Sequence, residues 1–235
     1  MLTLRKASDR GGSNLGWLNS KHTFSFGEYH DPEHMGFGYL RVINDDRVAP
    51  GGGFATHPHR DMEIISYVLE GALEHRDSMG NGSVIRPGDV QRMSAGTGVT
   101  HSEFNQSRVD PVHFLQIWFL PDRQGHAPGY EQKTFAREQK RGQFCLVASA
   151  KGRNGSVSLN QDVDMSVVLL EGDEHAGYTV GNGRDVWLHV ACGRVTINGQ
   201  VAKEGDGLST SAAGELLFSD GERAEIVLFD MASRA

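Results

Sequence analysis

The sequence predicts an all-β protein built as two tandem antiparallel β-barrels with few short helices. Three observations point there. Thirty glycines stand among 235 residues of which 38% are hydrophobic, a balance that suits short strands joined by tight turns better than a helical bundle. Short runs rich in Val, Ile, Leu and Phe recur along the chain, punctuated by Gly, Asn and Asp. The two halves also echo one another, as expected when one fold is used twice. The length allows one large all-β domain or two of roughly 110 to 120 residues, and either buries a real core.

In chain order, strand-like runs cover residues 38–43, 62–69, 72–75 and 113–119, then 157–159, 166–170, 186–190, 194–197 and 225–229. The best helix candidate is the polar stretch Glu131 to Arg141, stopped by Gly142. It follows Pro121, Gly125, Pro128 and Gly129, so residues 121–142 read as a connector. The connector separates an amino-terminal domain, residues 1–120, from a carboxy-terminal one, residues 143–235.

The repeat runs through turn glycines. Val68-Leu69-Glu70-Gly71 is echoed by Val190-Ala191-Cys192-Gly193, Pro87-Gly88-Asp89 by Glu204-Gly205-Asp206, and Ser94-Ala95-Gly96 by Ala212-Ala213-Gly214. The offsets are 122 from Gly71 to Gly193, 117 from Gly88 to Gly205 and 118 from Gly96 to Gly214.

Composition excludes several function classes. A formal net charge of −7 argues against direct nucleic-acid binding, which needs a basic face. Two cysteines, Cys145 and Cys192, form no Cys-x-x-Cys pattern, so a reducing cytoplasm is the expected home. The first twenty residues hold no apolar core ahead of a cleavage site, so no secretion signal is expected. No apolar run approaches the roughly 18 residues that span a membrane.

The chemistry concentrates in two pairs: His57 and His59, then His101 and Glu103. Alternate residues of a strand share a face, so each pair offers two donors to one side. Between them Gly71, Gly80, Asn81, Gly82 and Pro87-Gly88-Asp89 supply turns that can fold one strand back beside the other. Three imidazoles and one carboxylate suit one divalent transition metal and leave an octahedral ion two open positions. The mixed nitrogen and oxygen set, without thiolates, favours Fe(II), with Mn, Ni, Co or Cu as substitutes; a closed tetrahedral Zn site is the alternative. Carried forward by the repeat offsets, these four positions fall on Thr179, Gly181, Ser219 and Gly221. None of those replaces an imidazole, so only the first barrel is expected to hold metal.

The other histidines read more blandly. His22, His30 and His34 are expected at the surface, His75 as an interior residue bonded near Asp77, and His113, His175 and His189 as structural. Phe24, Phe26, Phe54, Met93 and Phe104 are candidates for an aromatic-accepting pocket, each more readily explained as core.

The pattern Gly51, His57-x-His59, Glu63, Gly71, followed by Pro87-x-Asp89 and His101-x-x-x-Asn105, resembles the two cupin motifs. It departs from them by one extra residue between Glu63 and Gly71 and a longer gap before His101. Those departures, with HTFSFGEYHDPEHMGFGYLRVINDD, THPHRDMEIISYVLEG and MSAGTGVTHSE, closely resemble the pirin family across the first half. The resemblance implies a bicupin, each half a double-stranded β-helix or jelly roll, the second degenerate and without metal. In ordinary cupins the position of Glu63 is a ligand, whereas in pirins the carboxylate is that of Glu103. The metal set implied is therefore His57, His59, His101 and Glu103. Glu63 becomes a supporting residue, displaced by a bulge or shift before Gly71.

The resemblance also implies quercetin 2,3-dioxygenase activity, with a small planar aromatic substrate and dioxygen as partners. A flavonol carries a 3-hydroxyl beside a 4-carbonyl, a natural chelating edge that a metal acidifies. Glu103 would act as general base for that proton. Oxygen would then add across C2 and C4, and collapse would release carbon monoxide and a depside. The alternative from the same family is a non-enzymatic, iron-dependent redox regulator that binds a protein partner. A third reading, another metal-assisted cupin enzyme, rests on fold analogy alone.

Overall fold

The computed structural model describes residues 2–234, and nearly all of its regular structure is β-strand. It contains two compact units. One comprises Arg10–Thr134 and Val157–Gln161; the other comprises the chain up to Asp9, Phe135–Ser156 and the chain from Asp162 onward. The units are thus cut differently from the expected 1–120, 121–142 and 143–235. Thr3–Arg5 pairs with Gly207–Thr210, which assigns the first strand to the carboxy-terminal unit. The backbone NH of Ser158 donates to Glu131 and that of Asn160 to Glu63, which seats residues 157–161 in the amino-terminal unit.

The expected helix over Glu131 to Arg141 is corrected. Gly129–Thr134 is a strand paired with Asp89–Ser94, and only Arg137–Lys140 makes one helical turn. Side chains of alternate residues explain the outcome. The Tyr130 hydroxyl is hydrogen-bonded to Ser83, Gln132 Nε2 donates to the Val84 carbonyl, and Thr134 Oγ1 donates to Asp89 Oδ1 at 2.6 Å. A period-2 set of cross-strand bonds overrides the helix propensity of the same residues.

The amino-terminal unit is a two-sheet jelly roll. One sheet orders its strands as 129–134, 89–94, 63–70, 112–119, 40–48, 18–22 and 11–14, and the other as 53–59, 99–105, 73–77 and 82–85. Neighbouring strands are antiparallel. The strand Glu63–Glu70 has the extra residue suspected before Gly71: its register against Val112–Phe119 jumps from Val68 to Glu70. The bulge lies beyond Glu63, however, and Glu63 already belongs to a different sheet from His57 and His59.

The carboxy-terminal unit pairs strands in the order 3–5, 207–210, 184–197, 214–232, 163–172 and 145–150, with 176–180 and 200–203 attached. The expected strands 186–190 and 194–197 are one strand, Arg184–Ile197, whose register against Gly214–Ala232 shifts at Cys192 and Arg194. Gly193 allows this: its φ is 73°, and a Cβ there would meet the Glu222 carbonyl. Its repeat partner Gly71 has φ 78° and is closed in by the Pro111 carbonyl. The echo in the sequence therefore marks equivalent backbone constraints. No helix among the described residues is long and apolar enough to cross a membrane.

Candidate metal centre

The strand Val99–Asn105 alternates cleanly, with Val99, His101, Glu103 and Asn105 buried between more exposed neighbours. It pairs with Gly53–His59 so that His101 lies opposite His57 and Val99 opposite His59. Gly53–His59 is the edge of its sheet, which is where Pro58 can be accommodated between the two histidines. The result is a triangle of rings, with centroids 4.5 Å apart for His57 and His101, 4.8 Å for His57 and His59, and 4.9 Å for His59 and His101. Nitrogens of the three lie within 4.8 Å of one another.

Hydrogen bonds fix which nitrogens face inward. His57 Nδ1 lies 2.8 Å from the Ala55 carbonyl, which can only accept, so Nδ1 carries the proton and Nε2 keeps its lone pair. Behind His101 stands His75, fully buried, with Nδ1 3.4 Å from His101 Nδ1 and Nε2 3.3 Å from Asp77 Oδ2. Burial opposes ionisation of Asp77, but bonds from Asn81, His75 and Met79 outweigh it and hold its carboxyl below the usual range. An ionised Asp77 accepts a hydrogen bond from His75 Nε2–H, His75 Nδ1 then accepts one from His101 Nδ1–H, and His101 Nε2 is left bare. Two bare Nε2 atoms, His57 and His101, meet at 3.1 Å. Facing lone pairs at that distance repel, and a shared cation removes the repulsion. The residues present fit a divalent ion.

Charge agrees. Burial, then the neighbouring His101 and His57, push His59 down to about 4 against the pull of Glu103. Burial, then His57 and His75, push His101 down to about 3. Both rings are neutral at physiological pH, the form that binds metal.

Glu103 is 2% exposed, and its oxygens accept from Ser66 Oγ at 2.8 Å and Gln116 Nε2 at 2.7 Å. It sits within ligating reach of His101 and His75 rather than inside the tight histidine triangle. Glu63 faces away from this group, accepting from Ser94 Oγ and from the Asn160 backbone and side chain.

His57, His59 and Glu103 line a cavity of about 600 Å³. Of the expected aromatic candidates, Phe26 and Phe54 line it. Phe24 and Met93 are core, and Phe104 is 39% exposed. Trp17 and Trp118 complete the wall, Trp118 standing edge-on to His59 at 5.0 Å. His22, expected at the surface, is buried and lines the cavity, its Nδ1 2.8 Å from Asn44 Oδ1. His75 is the hydrogen-bonded interior residue expected, and His113 is bonded to Asp45.

A barrel with a histidine triangle on its inner wall, followed by a second unit in which the described residues form no such cluster, is the arrangement of a two-domain cupin. Comparison with known proteins narrows the class. The Pirin profile matches residues 3–119, and that of the quercetinase C-terminal cupin domain matches residues 146–231. The quercetin 2,3-dioxygenase of Escherichia coli strain K12 is 46% identical over 98% of this chain and 99% of its own. The crystal structure of the bacterial pirin YhhW from Escherichia coli in complex with nickel(II) superposes with TM-score 0.94 at 46% identity, covering 100% of both chains. A quercetin 2,3-dioxygenase structure from Acinetobacter baumannii, at 16% identity and TM-score 0.76 over 99% of this chain and 79% of its own, shares the fold. The chain belongs to the pirin family.

Proposed function

We propose that this protein is a metal-dependent dioxygenase that cleaves a flavonol such as quercetin, consuming one dioxygen and releasing one carbon monoxide and a depside. One divalent ion, Fe(II) in the cell, would be held by His57, His59, His101 and Glu103. The observation that carries this reading is the triangle of three imidazoles, two of which, His57 and His59, line a cavity walled by Trp17, Phe26, Phe54 and Trp118. When bound, the ion supplies Lewis acidity toward the chelating oxygens and redox chemistry toward dioxygen. The protein's residues do the rest. Ala55 and the His75–Asp77 pair hold two imidazoles in the ligating tautomer. Aromatic rings clamp a planar substrate and exclude water, and the cavity volume falls in the range of small-molecule sites. Glu103 takes the proton of the 3-hydroxyl at a carboxylate oxygen, while Ser66 and Gln116 keep it oriented. The carboxy-terminal barrel is without metal in this reading, and the cytoplasm is the proposed compartment.

The test is direct. Iron-loaded protein incubated aerobically with quercetin should bleach the flavonol absorbance and release one equivalent of carbon monoxide into the headspace. Bound iron without carbon monoxide would overturn the assignment. Glu103→Gln should keep partial metal binding and lose about 10²-fold or more in turnover; a fully active variant removes the base role.

A further inference from the structure

The wall of this cavity contains an acid that neither the metal nor its supports use. Three strands of the large sheet place it. His22, Asn44 and Gln116 stand opposite one another across Leu18–His22, Leu40–Val48 and Val112–Phe119, forming a polar row that Glu103 meets through Gln116. One step along, in the same parity, stand Ser20, Asp46 and Phe114. Asp46 lines the cavity, is 3% exposed, and its Oδ1 is buried with no hydrogen-bond partner. Ser20 serves its carboxyl, yet burial, with Asp45 and Glu103 nearby, pushes it up to about 7. On the other side of the row, Trp118 Nε1 is also buried without a partner in the same cavity. A native protein rarely leaves such atoms unsatisfied unless something else completes them. Among the described residues no Lys or Arg lines the cavity, so no side-chain cation of the lining would balance an anionic ligand.

We propose that Asp46 is the second anchoring point of the substrate, its Oδ1 accepting a hydrogen bond from a hydroxyl remote from the chelating edge. The site thereby selects uncharged, polyhydroxylated planar aromatics over analogues that lack further hydroxyls or carry sulfate, phosphate or carboxylate. This inference rests on the flavonol reading and deepens it. A buried acceptor rejects the analogue that leaves it unpaired far more strongly than an apolar wall rejects a small change in size.

Binding under anaerobic conditions tests it with metal-loaded protein, followed by quenching of tryptophan fluorescence. Quercetin, quercetin sulfate and 3-hydroxyflavone, which has the chelating pair alone, are the probes. The wild type should bind quercetin at least tenfold more tightly than 3-hydroxyflavone or the sulfate. Asp46→Leu should bring the quercetin to 3-hydroxyflavone ratio to about one, and Asp46→Asn, which keeps a carbonyl oxygen, should fall between. Metal content and thermal unfolding show whether each variant is folded. A ratio near one in the wild type, or an unchanged ratio in Asp46→Leu, overturns the role of Asp46. If the wild type binds both flavonols equally and still releases carbon monoxide, the dioxygenase reading stands without it. If neither flavonol binds, both fall.

Discussion

In the carboxy-terminal unit, Val168, Leu188, Val195, Phe218, Ile226 and Leu228 belong to one cluster of buried aliphatic and aromatic side chains. In the amino-terminal unit, the space between the sheets is bounded by Asn44, Asp46, Glu103 and Gln116 beside the histidines. The register differs too. His57 lies opposite His101, whereas Thr179, the residue to which the repeat carries His57, lies opposite Glu215 rather than Ser219. The near-constant offset read from the turn glycines therefore does not extend through the ligand strands. Buried polar groups cost free energy unless they are hydrogen-bonded. The amino-terminal barrel offsets most of that cost through the Ser66–Glu103–Gln116 and His22–Asn44 contacts and leaves Asp46 and Trp118 incomplete. The contrast lies in the lining: the carboxy-terminal cluster is apolar, whereas the amino-terminal cavity has polar as well as aromatic walls.

That contrast can be broken by substitution. The largest effect should come from His101→Ala, which should abolish stoichiometric metal binding and reduce turnover by more than the roughly 10–100-fold that outer partners cost. Ser219→Ala should leave metal content unchanged, and elemental analysis reads both. Next, Phe218→Ala should destabilise the protein by about 3–5 kcal/mol in denaturant titration while folded molecules keep their full metal complement. A smaller effect is expected from Asp77→Asn. It removes the carboxylate that sets the His75 tautomer and should weaken metal affinity by roughly 10–100-fold in competition with a chelator. Glu74→Gln, on the same strand but paired with the exposed Arg76, should leave that affinity alone.

The smallest effect concerns acid. Burial raises Glu131, but Lys133 and the Ser158 backbone and hydroxyl outweigh it and hold the carboxyl down to about 2, from an ordinary 4.5. A depressed pKa stabilises the folded state above the unfolded value, and that contribution is lost as pH falls from about 4.5 toward about 2. Glu131→Gln should flatten this part of the acid-unfolding curve; a curve that superposes on the wild type would exclude the contribution.

How much was legible follows from how local each signal is. His57 and His59, like His101 and Glu103, obey a two-residue period that holds within one strand, so the meeting of the three imidazoles could be read directly. Asn44, Asp46 and Gln116 could not. Asn44-Asp45-Asp46 resembles the end of a strand, and the expected strand stopped at Ile43, whereas the real one runs from Leu40 to Val48. Its polar residues are sustained by register with His22, Gln116 and Ser20 on neighbouring strands, information that no short window carries. The same reason undid the helix expected over Glu131 to Arg141, where pairing with Asp89–Ser94 outweighs local propensity. His22 was misjudged because its burial depends on strands more than twenty residues away in sequence.

The central claim is that one ion binds in the amino-terminal barrel and none in the carboxy-terminal one. Anomalous diffraction from crystals of the nickel-loaded protein tests this most directly. The account predicts a single strong peak about 2.0–2.3 Å from a nitrogen of each of His57, His59 and His101 and an oxygen of Glu103. A peak in the carboxy-terminal barrel, or a peak that these four side chains do not surround, would contradict it.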